Sequence, residues 1–182
     1  NTNTLLDLAC GKGRHSIAFA KHGIDVTGID LSKNSIEFAS QFEHDNLHFY
    51  VHDMRTSFRS NYYDMICNLF TSFGYFKTNH DNLLAARFMS QGIKSGGKIL
   101  VDFVNRNYAI QQIESKLTET IQHEQIQFDI VRSYTDHHFL KSIHITDGDH
   151  KQTFHESLQS FTKTEMVELF SQVGLKEIAC YG

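Results

Sequence analysis

The sequence predicts an α/β fold: a doubly wound, mostly parallel sheet with an inserted antiparallel β-meander. Three observations lead there. Through the first hundred or so residues short apolar runs alternate with stretches of helical periodicity, the pattern of βαβ units. A glycine pair, Gly11 and Gly13, joins the first apolar run to the first helical stretch. Beyond Arg106 the apolar period falls to two over three consecutive stretches, as in strands buried on one face.

Each element follows in order. Thr4 to Ala9 (TLLDLA) reads as a buried strand, and Ile17, Phe19 and Ala20 mark a helix from about Arg14 to His22, stopped by Gly23. Asp25 to Asp30 is the second strand. Ser32 offers an N-cap to a helix near Lys33 to Phe42, and Leu47 to His52 is the third strand. Tyr63 to Asn68 is the fourth. A helix from about Asp81 to Gln91 and a turn at Ser95-Gly96-Gly97 lead to the fifth strand, Lys98 to Phe103. Tyr108 to about His123 reads as helix. The alternating sets Ile126/Phe128/Ile130, Phe139/Ile143/Ile145 and Phe154/Glu156/Leu158 then form the meander, with turns at Thr135-Asp136 and Asp147-Gly148-Asp149. Thr162 and Glu165 make a capping box for a last helix to about Val173; Gly174 ends it, and Leu175 to Cys180 is expected as a strand. The expected division is a core of residues 1–106, an inserted helix and meander over 107–161, and a return to the core over 162–182.

Composition narrows the function classes. Of 182 residues, 17 are Lys or Arg and 21 Asp or Glu, a net charge of −4, and no basic run occurs. A nucleic-acid partner is therefore not expected, because polyanion binding needs clustered positive charge. The apolar runs are far shorter than the roughly 20 residues that span a bilayer, so no membrane partner is expected. Cys10, Cys67 and Cys180 are odd in number and far apart, which suits a reducing cytoplasm. The absence of proline and of Gly/Ser-rich stretches leaves no linker. The chain opens on Asn1, almost directly before a strand, and an upstream segment is expected.

The chemistry concentrates in Asp7-Leu8-Ala9-Cys10-Gly11-Lys12-Gly13-Arg14, a glycine-rich turn between strand and helix. Glycines there admit a ligand close to the backbone, and the helix N-terminus offers free N–H groups to a carboxylate or phosphate. Asp30 closes the second strand, where a carboxylate can accept both hydroxyls of a ribose. A nucleoside-containing cofactor is the natural reading; the structural alternative is a turn that needs glycine for its geometry, with Asp30 capping the next helix.

These residues resemble the first motifs of the class I S-adenosylmethionine-dependent methyltransferases, which have a Rossmann-like fold. Asp7 to Gly13 looks like their Gly-x-Gly-x-Gly turn, with Ala9 in place of the first glycine. The likeness continues through Gly28-Ile29-Asp30-Leu31-Ser32, His52-Asp53-Met54, Tyr63 to Asn68, and Lys94-Ser95-Gly96-Gly97. The resemblance implies that Asp7, Ala9, Gly11 and Gly13 face the methionine part of S-adenosylmethionine, Asp30 the ribose, Leu31 one adenine face, and Asp53 with Met54 the adenine edge and ring. Asn68 and Phe70 would border the sulfonium, and S-adenosylhomocysteine would be the product. It also implies a final antiparallel strand and an N-terminal helical cap, both of which are expected to lie outside these 182 residues. A nicotinamide-dependent dehydrogenase would need the register Gly11-x-Gly13-x-x-Ser16, which ends in serine. A catalytically silent module that keeps the nucleoside pocket is the second alternative.

The expected partner is a small-molecule methyl acceptor. Methyl transfer from a sulfonium needs alignment, desolvation and, for a weak nucleophile, a base. No compelling base stands out; Tyr75, His155 and Glu156 are the candidates, the last two on the meander, which is expected either to cover the acceptor or to pair two copies as a homodimer. His137 and His138 with His144 or His155 lack metal-ligand spacing, and no metal is expected.

Overall fold

The computed structural model describes residues 3–182; Asn1 and Thr2 lie outside the described residues. The chain divides into two compact units, one of residues up to 73 with 77–103 and 167–180, the other of residues 74–76, 104–166 and 181–182.

The first unit carries β1 (Thr4–Leu8), α1 (Arg14–Lys21), β2 (Asp25–Asp30), α2 (Lys33–Ala39), β3 (Leu47–Val51), β4 (Tyr63–Asn68), α3 (Asn79–Gly92) and β5 (Ile93–Val101). Its five strands are parallel in the order β3-β2-β1-β4-β5. That order follows from the chain: each strand returns through a crossover, first to one side of β1 and then to the other. Four of the five residues of β1 are buried, as a central strand covered on both faces requires. Leu5, Val26, Leu47 and Cys67 pack with Ala20, Ile36 and Ala39 of α1 and α2, while Leu6, Leu8, Ile29 and Ile66 alternate to the other face. α3 buries Ala85, Ala86 and Met89. At the amino end of the sheet, Asp64 accepts the Thr4 N–H at 2.9 Å and pairs with Lys94 at 2.9 Å, tying together the starts of β1, β4 and β5. Cys10 and Cys67 are buried thiols and Cys180 an exposed one; burial pushes Cys67 up to about 12 and raises Cys10 as well.

The second unit holds α4 (Arg106–Ser115) and an antiparallel sheet β6-β7-β8-β9, formed by Thr118–His123, Ile126–Tyr134, His138–Asp147 and His150–Gln159. α5 (Lys163–Ser171) runs from residues of this unit into residues of the first, and its capping box forms, with the Thr162 N–H on Glu165 at 2.7 Å and the Glu165 N–H on Thr162 Oγ1 at 3.2 Å.

Three expectations are corrected. The helix expected to reach His123 ends at Ser115, and Thr118–His123 is a fourth meander strand; it is an exposed edge with one apolar residue, so it lacks the alternation that marks a strand. The turn at Ser95-Gly96-Gly97 lies inside β5, which begins at Ile93 and bulges there, with Gly96 at φ 80° and a register shift opposite Tyr63/Met65. Leu175–Cys180 forms no strand: Ile178 is exposed and no strand among the described residues pairs with the segment.

Candidate functional site

In an open parallel sheet the ligand crevice opens at the carboxyl ends of the strands where the order reverses, here β1 and β4. The residues leaving β1 make a tight coil of left-handed backbone: Ala9 at φ 62°, Gly11 at 55° and Gly13 at 79°. Glycine takes that conformation freely, whereas alanine is strained by about 1 kcal/mol. The coil is fastened on both sides. The Cys10 N–H donates to the Ile29 carbonyl of β2 at 3.0 Å and the Gly13 N–H to the Cys10 carbonyl at 3.0 Å. The Phe49 ring fills the space under it, so that a Cβ at Gly13 would lie 2.6 Å from that ring and one at Gly28 2.5 Å from it. Gly11 is different, since a Cβ there would meet nothing within 4 Å. Its bare face is open to a ligand, while the other two glycines are demanded by packing.

Asp7 is buried at 1% exposure beneath the coil. It accepts the Ser16 hydroxyl at 2.6 Å. Burial raises its carboxyl above the usual range, and the Ser16 hydroxyl and backbone amide pull it back. Asp7 therefore anchors the first turn of α1 from inside. Asp30 faces the coil: one carboxylate oxygen accepts the Gly11 N–H at 2.9 Å and the other the Ser32 N–H at 2.8 Å. A carboxylate offers about four acceptor positions, so both oxygens keep a lone pair for a ligand hydroxyl. Leu31, just beyond, is 69% exposed, an apolar surface next to a polar clamp.

Asn68 ends β4 fully buried, donating through Nδ2 to the Leu8 carbonyl at 3.0 Å. Its Oδ1 is buried without a hydrogen-bond partner among the described residues. An unpaired buried acceptor costs about 1–3 kcal/mol, which a donor on a bound ligand would recover. Phe70 follows in left-handed backbone at φ 62°, its ring 73% exposed and 5.0 Å from the Arg14 guanidinium. Bare Gly11, the Asp30 clamp, exposed Leu31 and the orphaned Asn68 oxygen fit a ligand with a ribose, an apolar ring and a donor-bearing tail, and S-adenosylmethionine has all three.

Asp53 lies in the loop that follows β3. Arg55 holds it through a contact of 2.6 Å and reaches Asp81 on α3 at 3.1 Å, and the guanidinium holds the Asp53 carboxyl below its usual range. Met54 is half-buried beside it. Tyr75, His155 and Glu156 belong to the second unit. Burial raises the Tyr75 phenol and the Glu156 charge adds to this. His155 bonds Ser142 at 2.9 Å and Glu156 pairs with Lys141 at 3.3 Å; as neighbours on β9 they point to opposite faces. Sequence reasoning missed Ser16 as the partner of Asp7 and Arg55 as the partner of Asp53. Arg55, two residues after Asp53, was the one with a local signal.

A family described as "Methyltransferase domain" matches residues 1–169 of the chain. A protein of Bacillus subtilis (strain 168), YqeM, provisionally named a methyltransferase, is 30% identical over 183 residues, covering 94% of this chain and 73% of its own. The dTDP-3-amino-3,4,6-trideoxy-alpha-D-glucopyranose N,N-dimethyltransferase of Streptomyces venezuelae is 31% identical over 101 residues, covering 55% of this chain and 42% of that protein. A crystal structure of a S-adenosylmethionine-dependent methyltransferase from Clostridium acetobutylicum ATCC 824 superposes with a TM-score of 0.78 at 17% identity, covering 95% of this chain and 73% of that one.

Proposed function

Because this chain belongs to the methyltransferase domain family, we propose that it transfers the methyl group of S-adenosylmethionine to a small-molecule acceptor, with the cofactor held at the carboxyl ends of β1, β2 and β4. The observation that carries the site is the Gly11–Asp30 pair: a glycine whose side-chain space is empty, hydrogen-bonded at 2.9 Å to a carboxylate with acceptor capacity to spare. The family match sets the dehydrogenase reading aside.

Bound there, S-adenosylmethionine supplies a methyl group on a sulfonium, already a good leaving group. The protein's task is orientation and dryness. Asp30 would hold the ribose hydroxyls, the bare Gly11 backbone would admit the methionine part, Asn68 and Phe70 would border the sulfonium, and Leu31 would offer apolar surface to the adenine. Tyr75, His155 and Glu156 are the candidates for a base. A small-molecule acceptor is supported by the 31%-identical relative, whose name describes a sugar nucleotide dimethyltransferase. Pairing of two copies along β9 has one supporting observation, since residues 150–155 of that edge strand are all exposed; sedimentation of the protein tests it.

The experiment is a thermal shift of the full-length protein with S-adenosylhomocysteine, S-adenosylmethionine and NAD, repeated with Asp30→Ala. A ligand at about 100 times its dissociation constant adds roughly 2.7 kcal/mol, which is about 5–10 °C for a chain of this size. The expected result is a shift with the two sulfur ligands, lost in Asp30→Ala. A shift with NAD alone, or none with the sulfur ligands, overturns the proposal.

A further inference from the structure

We propose that Asp102, the residue that follows β5, is a positioning residue for the cofactor site. It locks the chain leaving β4 so that the Phe70 ring stands over the first turn of α1. The inference rests on the methyltransferase reading and adds to it a residue outside the recognised motifs.

Asp102 commits all three of its polar groups to this segment. Its N–H donates to the Asn68 carbonyl at 2.8 Å, its carbonyl accepts the Thr71 N–H at 3.1 Å, and its carboxylate accepts the Phe70 N–H at 3.0 Å. The segment needs such holding. Phe70 at φ 62° and Thr71 at φ 54° are consecutive non-glycine residues in left-handed backbone, a conformation that a bulky or β-branched residue keeps only when its surroundings over-determine it. The backbone anchors come from the neighbouring strand; the segment's own contribution is the Ser72 hydroxyl on the Leu69 carbonyl at 2.8 Å.

The strain has a product. Phe70 is directed away from the core, 73% exposed, and lies 5.0 Å from the Arg14 guanidinium and 6.2 Å from the His15 ring, the first two residues of α1. The ring thus connects the carboxyl end of β4 to the helix that opens from the glycine coil. Strain kept to present an exposed aromatic ring beside a ligand crevice is the pattern of a site residue held in advance of binding. Asp102 touches no ligand in this reading. It acts through Phe70.

The test is calorimetric titration of S-adenosylhomocysteine into the full-length protein and into Asp102→Ala, Asp102→Asn, Phe70→Ala and the Asp102→Ala/Phe70→Ala double variant. Asp102→Ala is expected to weaken binding about tenfold, the loss of one interaction with a charged acceptor. Asp102→Asn keeps a carbonyl oxygen for the Phe70 N–H and should stay within about threefold. In the Phe70→Ala background, Asp102→Ala should add nothing, because the residue acts through that ring. Amide exchange at Phe70 and Thr71 should speed up in Asp102→Ala and not in Asp102→Asn, a readout independent of ligand. Wild-type affinity in Asp102→Ala, or an undiminished loss in the Phe70→Ala background, overturns the proposal while leaving the cofactor reading standing. A wild-type protein that does not bind S-adenosylhomocysteine overturns both.

Discussion

Gly28 and Gly11 sit within one shell of the same coil, yet alanine at each should fail differently. At position 28 a Cβ would lie 2.5 Å from Phe49 Cδ1, 2.6 Å from Cε1 and 3.0 Å from Cys10 Sγ. The backbone there is ordinary strand, so the whole cost is overlap with a buried ring, about 1–3 kcal/mol for overpacking of this kind. For a chain of this length that is a fall in Tm of roughly 4–8 °C at the middle of the range, and Phe49→Leu on top of Gly28→Ala should return part of it. At position 11 no atom stands within 4 Å. The cost in the free protein is then the left-handed backbone alone, about 1 kcal/mol or roughly 2–4 °C. The new methyl group, however, fills the space through which a ligand reaches the backbone, and S-adenosylhomocysteine affinity should fall about tenfold or more. Differential scanning fluorimetry and calorimetric titration of the two variants separate these effects. If Gly11→Ala binds as tightly as wild type, the bare face of Gly11 does not meet the cofactor; if Gly28→Ala melts within about 1 °C of wild type, the Phe49 wedge is not what requires glycine there.

Three further outcomes follow from the same geometry. Ser16→Ala removes the 2.6 Å donor to buried Asp7 and should cost about 2 kcal/mol by chemical denaturation at pH 7. Because the folded Asp7 carboxyl is raised, that loss is smallest near pH 4 and grows as pH rises, and a flat profile would refute it. Asp64 is lowered from 3.8 to about 2 by Thr4 and Lys94, so its contribution is present above 3.8 and is lost as pH falls through about 2; Asp64→Asn should flatten the acid limb of stability over that window. Thr162→Ala breaks the capping box of α5 and should lower stability by about 1 kcal/mol, read as a drop in Tm without change in cofactor affinity.

How much of this was legible in the sequence depends on where the information lies. Asp25–Asp30 and Tyr63–Asn68 were readable to the residue because both are short interior strands whose apolar residues lie between turn and cap residues. Thr118–His123 was not, because an edge strand with both faces wet carries no pattern, and its Thr and Gln residues continue a helix as easily on paper. Leu175–Cys180 has a strand's length and apolar residues after a helix-ending glycine but no strand partner among the described residues: a short run does not report pairing, which is settled elsewhere in the chain. At the site, the glycine coil and Asp30 could be named in advance, since their chemistry is local. Asp102 could not. Its role arises from a hydrogen bond between residues 32 positions apart, and nothing in the segment around it marks the contact. Asp53 was nameable from its motif, whereas its pairing with the arginine two places on was not.

The placement of the cysteines has a practical consequence for every measurement above. With Cys10 and Cys67 shut inside the parallel-sheet unit and Cys180 open to solvent, a short pulse of a maleimide should add one adduct to the native chain and three to the unfolded one. Alkylation needs an exposed thiolate. Two mass increments then separate closed from open molecules one by one, and adding S-adenosylhomocysteine to the pulse turns protection of Cys10, within the coil itself, into a label-counting assay for ligand. No tryptophan is present to serve as an optical reporter; sulfur does the work instead.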